Sequence, residues 1–134
     1  MAIGDKFLVT HTFNCASDMS ASSVQYSFVK LVSTGVALCN AETDVPVGVL
    51  QNSPALGEAA VVALSGVTKL KVGASNLALG NRVGTANTGR ALALTAGTST
   101  GFYAVGQVVE IDATANAGAI VTAAVNCLAP ARNG

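Results

Sequence analysis

The chain contains no tryptophan, and aromatic residues of any kind make up 4% of its 134 residues. Deep ligand pockets are lined largely by aromatic and bulky apolar side chains. An enzyme built around a large aromatic cleft is therefore not expected. Charge is scarce as well. Only 10% of residues are charged, split evenly between seven basic and seven acidic side chains, against about 25% in an ordinary soluble domain. Nucleic-acid binding and polybasic membrane contact both draw on a surplus of Lys and Arg. A balanced chain does not offer one, so no nucleic acid and no membrane are expected as partners. The charge-free stretches 91–109 and 113–131 are broken by Gly, Thr, Ser and Asn, whereas a spanning helix needs about 20 mostly apolar residues. The opening Met1–Lys6 lacks the basic-then-apolar order of a secretory signal.

Histidine occurs once, at His11, and cysteine three times at wide spacing, at Cys15, Cys39 and Cys127. A disulfide framework takes an even number, and zinc takes paired ligands. The expectation is buried, reduced thiols in a chain folded in a reducing cytoplasm, with no metal and no cofactor.

What is present is alanine and valine in short runs divided by turn residues. Val24–Val32 reads as a strand, with Val24, Tyr26 and Phe28 on one face. Ser33-Thr34-Gly35 turns it, and Val36–Cys39 resumes the strand, which is a hairpin signal. Thr68–Val72 alternates cleanly, with Lys69 and Lys71 outward and Leu70 and Val72 inward. Further runs lie at 45–50, 59–64, 82–85, 91–94, 103–111 and 119–125, and a short helical turn is possible only at Ser75–Leu79. Many short strands with regular turns specify an all-β sandwich or barrel. The polar, Ser-rich stretch Asn14–Ser23 divides the chain into an N-terminal arm and linker, 1–23, and a β domain, 24–134.

The sequence also carries an internal echo. Val47-Gly48-Val49-Leu50 and the later Gly57–Ala63 resemble Val105-Gly106-Gln107-Val108-Val109 and Ala117–Ala123. Either a strand–turn–strand unit occurs twice, making the barrel pseudo-symmetric, or Ala/Val-rich strands resemble one another by composition alone.

No catalytic constellation stands out. Gly84-Thr85-Ala86-Asn87-Thr88-Gly89-Arg90-Ala91 has the glycine spacing of a phosphate loop, but Arg90 and Ala91 stand where the Lys and Ser/Thr must be. It reads as a β-turn. His11 has no placed acid or nucleophile. Glu110 and Asp112 read as a solvated strand rim, and Glu42 with Asp44 supplies too few oxygens for calcium.

Small charge and few guarded strand edges favour self-association. The succession Val29-Lys30-Leu31-Val32, Gly35-Val36-Ala37-Leu38, Val47–Leu50, Gly57–Val67, Leu79–Val83 and Gly89-Arg90-Ala91, closing on Val105-Gly106 and Gly118–Val121, resembles the small capsid decoration (cement) proteins of tailed bacteriophages. The resemblance spans Val24–Val125 and departs at Asn81, where an acidic residue is usual. It implies a compact β-barrel or β-tulip-like domain of short antiparallel strands. It further implies a homotrimer with no catalytic residues, seated on the outer capsid surface of the virion and bound to the major capsid protein. On this reading Ile3, Phe7, Leu8, Thr10, His11, Thr12 and Phe13 form an arm that adds a strand to a capsid-protein edge. Equally, Phe7–Thr12 is the first strand of the domain. A pilus, sheath or adhesin-type structural subunit fits the same composition, though such subunits usually carry an export signal.

Overall fold

The computed structural model describes residues 8–73, 77–94, 102–111 and 117–132. Among these residues eleven strands follow one another: β1 (Leu8–Asn14), β2 (Phe28–Val32), β3 (Gly35–Leu38), β4 (Gly48–Leu50), β5 (Ala59–Lys71), β6 (Arg82–Thr85), β7 (Ala91–Ala93), β8 (Tyr103–Ala104), β9 (Gly106–Glu110), β10 (Ile120–Asn126) and β11 (Ala131–Arg132). A 3-10 turn at Ser22–Val24 precedes β2. The fold is all-β: one curled antiparallel sheet in the order β3-β2-β4-β5-β10-β9-β6-β7, with β1 also on β5 and β8-β11 as a separate ribbon.

Strand β5 is the axis of the molecule. Its first half pairs with β1 and β4, and its second half with β10. The sheet therefore curls into two half-barrels that share one strand. In the first, β1, β5, β4, β2 and β3 run in sequence, and a parallel bridge between Cys15 and Val36 closes the ring. In the second, β5, β10, β9, β6 and β7 do the same, closed by a parallel bridge between Val72 and Ala91.

The two rings are built alike, hydrogen bond by hydrogen bond. The Ala16 amide donates to the Val36 carbonyl, as Gly73 does to Ala91, each at 2.9 Å. Cys15 donates to Glu58 as Val72 does to Ala119; Val47 donates to Val29 as Val105 does to Val83; Cys39 donates to Phe28 as Leu94 does to Arg82. Tyr26 donates to Leu50 as Gly80 does to Val108. Gly48 and Gly106, the heads of the sequence echo, fall at equivalent points, paired with Val29 and Val83 respectively. The echo is thus a repeated five-strand unit, not a compositional coincidence. Its least expected detail is Tyr26, which has φ of +67° where its counterpart Gly80 has +84°. A left-handed conformation costs an L side chain what glycine avoids, and it interrupts the strand read from Val24, so β2 begins only at Phe28.

Two hydrophobic clusters follow from this geometry. The smaller, inside the first half-barrel, holds Cys15, Met19, Val29, Val36, Leu50 and Val62. The larger fills the second and reaches across to Phe28, Cys39, Val49 and Ala63 of the first. Phe28 and Val29 are adjacent and both fully buried. Side chains of adjacent strand residues point to opposite faces, so this stretch of β2 is covered on both.

Two expectations need amending. Leu8–Asn14 is a strand paired to β5 from Leu8↔Gly66 to Asn14↔Ala59, so it is not a free arm. The boundary at residue 23 consequently separates no domain: β1 lies N-terminal to it yet belongs to the first ring. The expected helical turn at Ser75–Leu79 falls partly outside the described residues, as Ser75 does.

All three cysteines are buried and unpaired. Burial pushes the Cys39 and Cys127 thiols up to about 12, while the Cys15 thiol donates to the Ser17 carbonyl at 2.6 Å. The thiolate is the reactive form. A thiol reagent at pH 8 should label few of the three in the native protein and all three after denaturation, which mass spectrometry of the labelled chain reads directly.

Candidate interaction surface

Strand β1 carries most of the residues singled out from the sequence. Its register on β5 places Thr10, His11 and Thr12 on the surface, exposed, between two partly buried anchors. Leu8 packs on the larger cluster and Phe13 on the smaller. The His11 and Phe13 rings meet edge to face, with centroids 4.7 Å apart and planes at 70°. A β-strand repeats its face every second residue, which is why these two rings meet. The Asn14 side chain donates to the Thr34 carbonyl at 2.8 Å, tying the end of β1 to the β2–β3 turn. Ile3 and Phe7 lie outside the described residues.

A second surface had no signal beyond Leu31-Val32 beside a turn. At the tip of the β2–β3 hairpin Leu31 and Val32 are exposed, and so is Val45 on the loop before β4. That loop is held rigidly. The Asn40 and Ala41 amides each donate to the Asp44 carboxylate at 3.0 Å, and the Lys30 ammonium pairs with it at 3.1 Å. Burial works to raise the Asp44 carboxyl, but the Asn40 amide, Lys30 and the Ala41 amide together hold it below the ordinary carboxylate range. Asp44 is thus an internal tie, not part of a calcium loop with Glu42.

The sign of the pH effect follows. A depressed folded-state pKa contributes stability that is complete above the unfolded value and lost as pH falls through the folded one. Asp44→Asn should cost about 1 kcal/mol, the scale of a partly exposed ion pair with added hydrogen bonds. Melting curves should show the difference at neutral pH, and it should shrink in acid.

On the outer face of β5, β10 and β9 an open depression of about 380 Å³ is lined by Lys69, Glu110, Ile111, Ile120 and Thr122. Glu110 is exposed on β9, and Asp112, read with it as a strand rim, is outside the described residues. A second depression, of about 290 Å³, is lined by small residues of β8, β9 and β10, among them Ala104, Gly106 and Ala124, with Gln107 and Asn126. The glycine-spaced segment 84–91 forms the β6–β7 hairpin, with the Ala86 amide donating to the Arg90 carbonyl. Among the described residues, no three His, Cys, Asp or Glu side chains are grouped to hold a metal ion, and no helix is long and apolar enough to cross a membrane. The described surface presents apolar residues at a strand, a hairpin tip and a sheet face.

No protein-family model matches the sequence, and comparison with curated proteins finds no match. Among solved structures, the chain is similar in fold to the N base of the head fiber gp8.5 of bacteriophage phi29. The TM-score is 0.60 at 18% identity, over 90% of this chain and 96% of that one. At this identity the likeness is one of fold.

Proposed function

We propose that the chain is a structural protein of a bacteriophage virion, a homotrimer that binds the outside of the expanded capsid and stabilises it. The observation that carries this reading is the fold shared with the base of a phage head fiber along nearly the whole of both chains. The sequence resemblance to capsid decoration proteins points the same way, and the molecule's surface is suited to protein contact.

The physics of the role is simple. A protein that binds the expanded lattice and not its precursor stabilises the expanded state by linkage. Each contact can be modest, because an oligomer engaging several capsid subunits gains effective concentration. On this reading Thr10, His11 and Thr12 face the major capsid protein from a strand already fixed by β5, so little ordering entropy is lost on binding.

The test is to mix the purified protein with expanded heads lacking it, and to measure occupancy by electron microscopy together with the resistance of the heads to heat. Extra density on the outer surface and heads that survive higher temperature are expected. No added density at saturating protein, with the protein folded, would reject the reading.

A further inference from the structure

The repeat allows each surface of one half-barrel to be compared with its counterpart in the other. At the β6–β7 tip the turn residues Asn87 and Thr88 are exposed, but the residues that lead into it are buried: Thr85 is 1% exposed and Ala86 8%. What buries them is the first half-barrel. The Phe28 amide donates to the Gly89 carbonyl at 2.6 Å. Gly89, with φ of +80°, packs against Leu38 and the Cys39 carbonyl, so any side chain there would be strained and would have to displace Leu38.

The hydrogen-bond pairing makes Leu31 and Val32 of the β2–β3 tip the counterparts of Thr85 and Ala86. These are 60% and 39% exposed. The tip that is covered carries small residues, and the tip that is open carries large apolar ones. The receiving side shows the same contrast. Phe28, Val49 and Ala63 are fully buried beneath the second half-barrel, and they are adjacent across β2, β4 and β5. Their counterparts Arg82, Gln107 and Ala124 are adjacent across β6, β9 and β10 and exposed. That row borders the small-residue depression of about 290 Å³.

We infer that the β2–β3 tip of one chain docks on the Arg82–Gln107–Ala124 face of a second copy, repeating between molecules the contact that joins the two half-barrels within one. The inference deepens the self-association reading above and rests on it. The occupant is a second copy because the equivalent tip already meets Phe28, Leu38 and Cys39 of the first half-barrel within this same chain. Arg82 and Gln107 stand where the internal interface has Phe28 and Val49, and such polarity belongs to an interface that must also be soluble when free. The contact is heterologous, tip to face, so it closes into a ring when the rotation allows.

Such a contact has two different halves, and this makes it testable in the absence of any capsid. Sedimentation equilibrium of the wild-type chain should show concentration-dependent assembly above the monomer. Leu31→Asp with Val32→Asp spoils the tip, and Arg82→Glu spoils the face. Each variant alone should assemble at least about 10-fold more weakly, the effect of losing an interface anchor. Mixed together, they should form a one-to-one dimer, since the first retains a good face and the second a good tip. A wild-type chain that stays monomeric at all concentrations, variants that assemble as well as wild type, or a mixture with no dimer would each overturn the proposal. Melting curves control for folding, and Leu31→Ser replaces the double variant if that one melts early. Capsid occupancy is measured separately, so loss of one property without the other identifies which reading has failed.

Discussion

Deletion of Met1–Phe13 is expected to unfold the first half-barrel. Strand β1 supplies one of its five staves, pairs with β5 from Leu8 to Asn14, and leads into the Cys15 bridge that closes the ring. Removing it exposes the side of β5 that β1 covers and strips Leu8 and Phe13 from the two clusters. Each backbone hydrogen bond is worth about 1 kcal/mol net, and partial burial of the two large side chains adds a similar amount apiece. The total is several kcal/mol, a large part of the 5–15 kcal/mol or so by which a whole domain is stable. The melting temperature should fall by more than about 10 °C, or the cooperative transition should vanish. Circular dichroism and a melting curve decide it, and a truncated chain that melts like the full one would remove β1 from the fold. Surface changes at Thr10 and Thr12, by contrast, should alter stability by no more than about 0.5 kcal/mol. Those are the variants with which to probe capsid binding, because they leave the strand in place.

Phe28→Ala should be the most damaging single substitution. Phe28 is among the largest fully buried side chains and extends from the first half-barrel into the cluster that fills the second. A buried Phe→Ala change costs about 3–5 kcal/mol, through lost transfer energy and the cavity left behind. Here the cavity opens at the junction, so both halves loosen together. At Gln107, the counterpart of Val49 on the exposed face, the side chain donates a surface hydrogen bond to the Gly80 carbonyl. Gln107→Ala should cost no more than about 1 kcal/mol. Urea titrations of both variants give the comparison, and equal losses would show that the two half-barrels do not meet as described.

Much of this was legible from the sequence because it is local. Lys69 and Lys71 alternate with Leu70 and Val72, and the structure buries both apolar residues as that alternation requires. The turn residues at Ser33-Thr34-Gly35 gave the β2–β3 hairpin, and the Gly48 and Gly106 echo pointed to the repeat. Other features had no local signal. The Ser-rich stretch after Asn14 looked like a tether, yet Cys15 and Met19 within it are core residues. Tyr26 looked like a strand position, and only the hydrogen bonds at its Gly80-like site account for its left-handed backbone. The β1 residues were recognisable as a group, but whether they paired within the chain or beyond it was open.

Composition and period two determine which residues share a face, and so the all-β class and the positions of turns were set by the sequence itself. What covers each face is decided by pairings between residues far apart in the chain, whose cost in loop closure and gain in burial balance only in three dimensions. Phe28 and Arg82 illustrate this: they hold the same place in two copies of one unit. The tertiary structure buries the first under the neighbouring half-barrel and leaves the second exposed, because the second half-barrel packs against the first of these two equivalent faces.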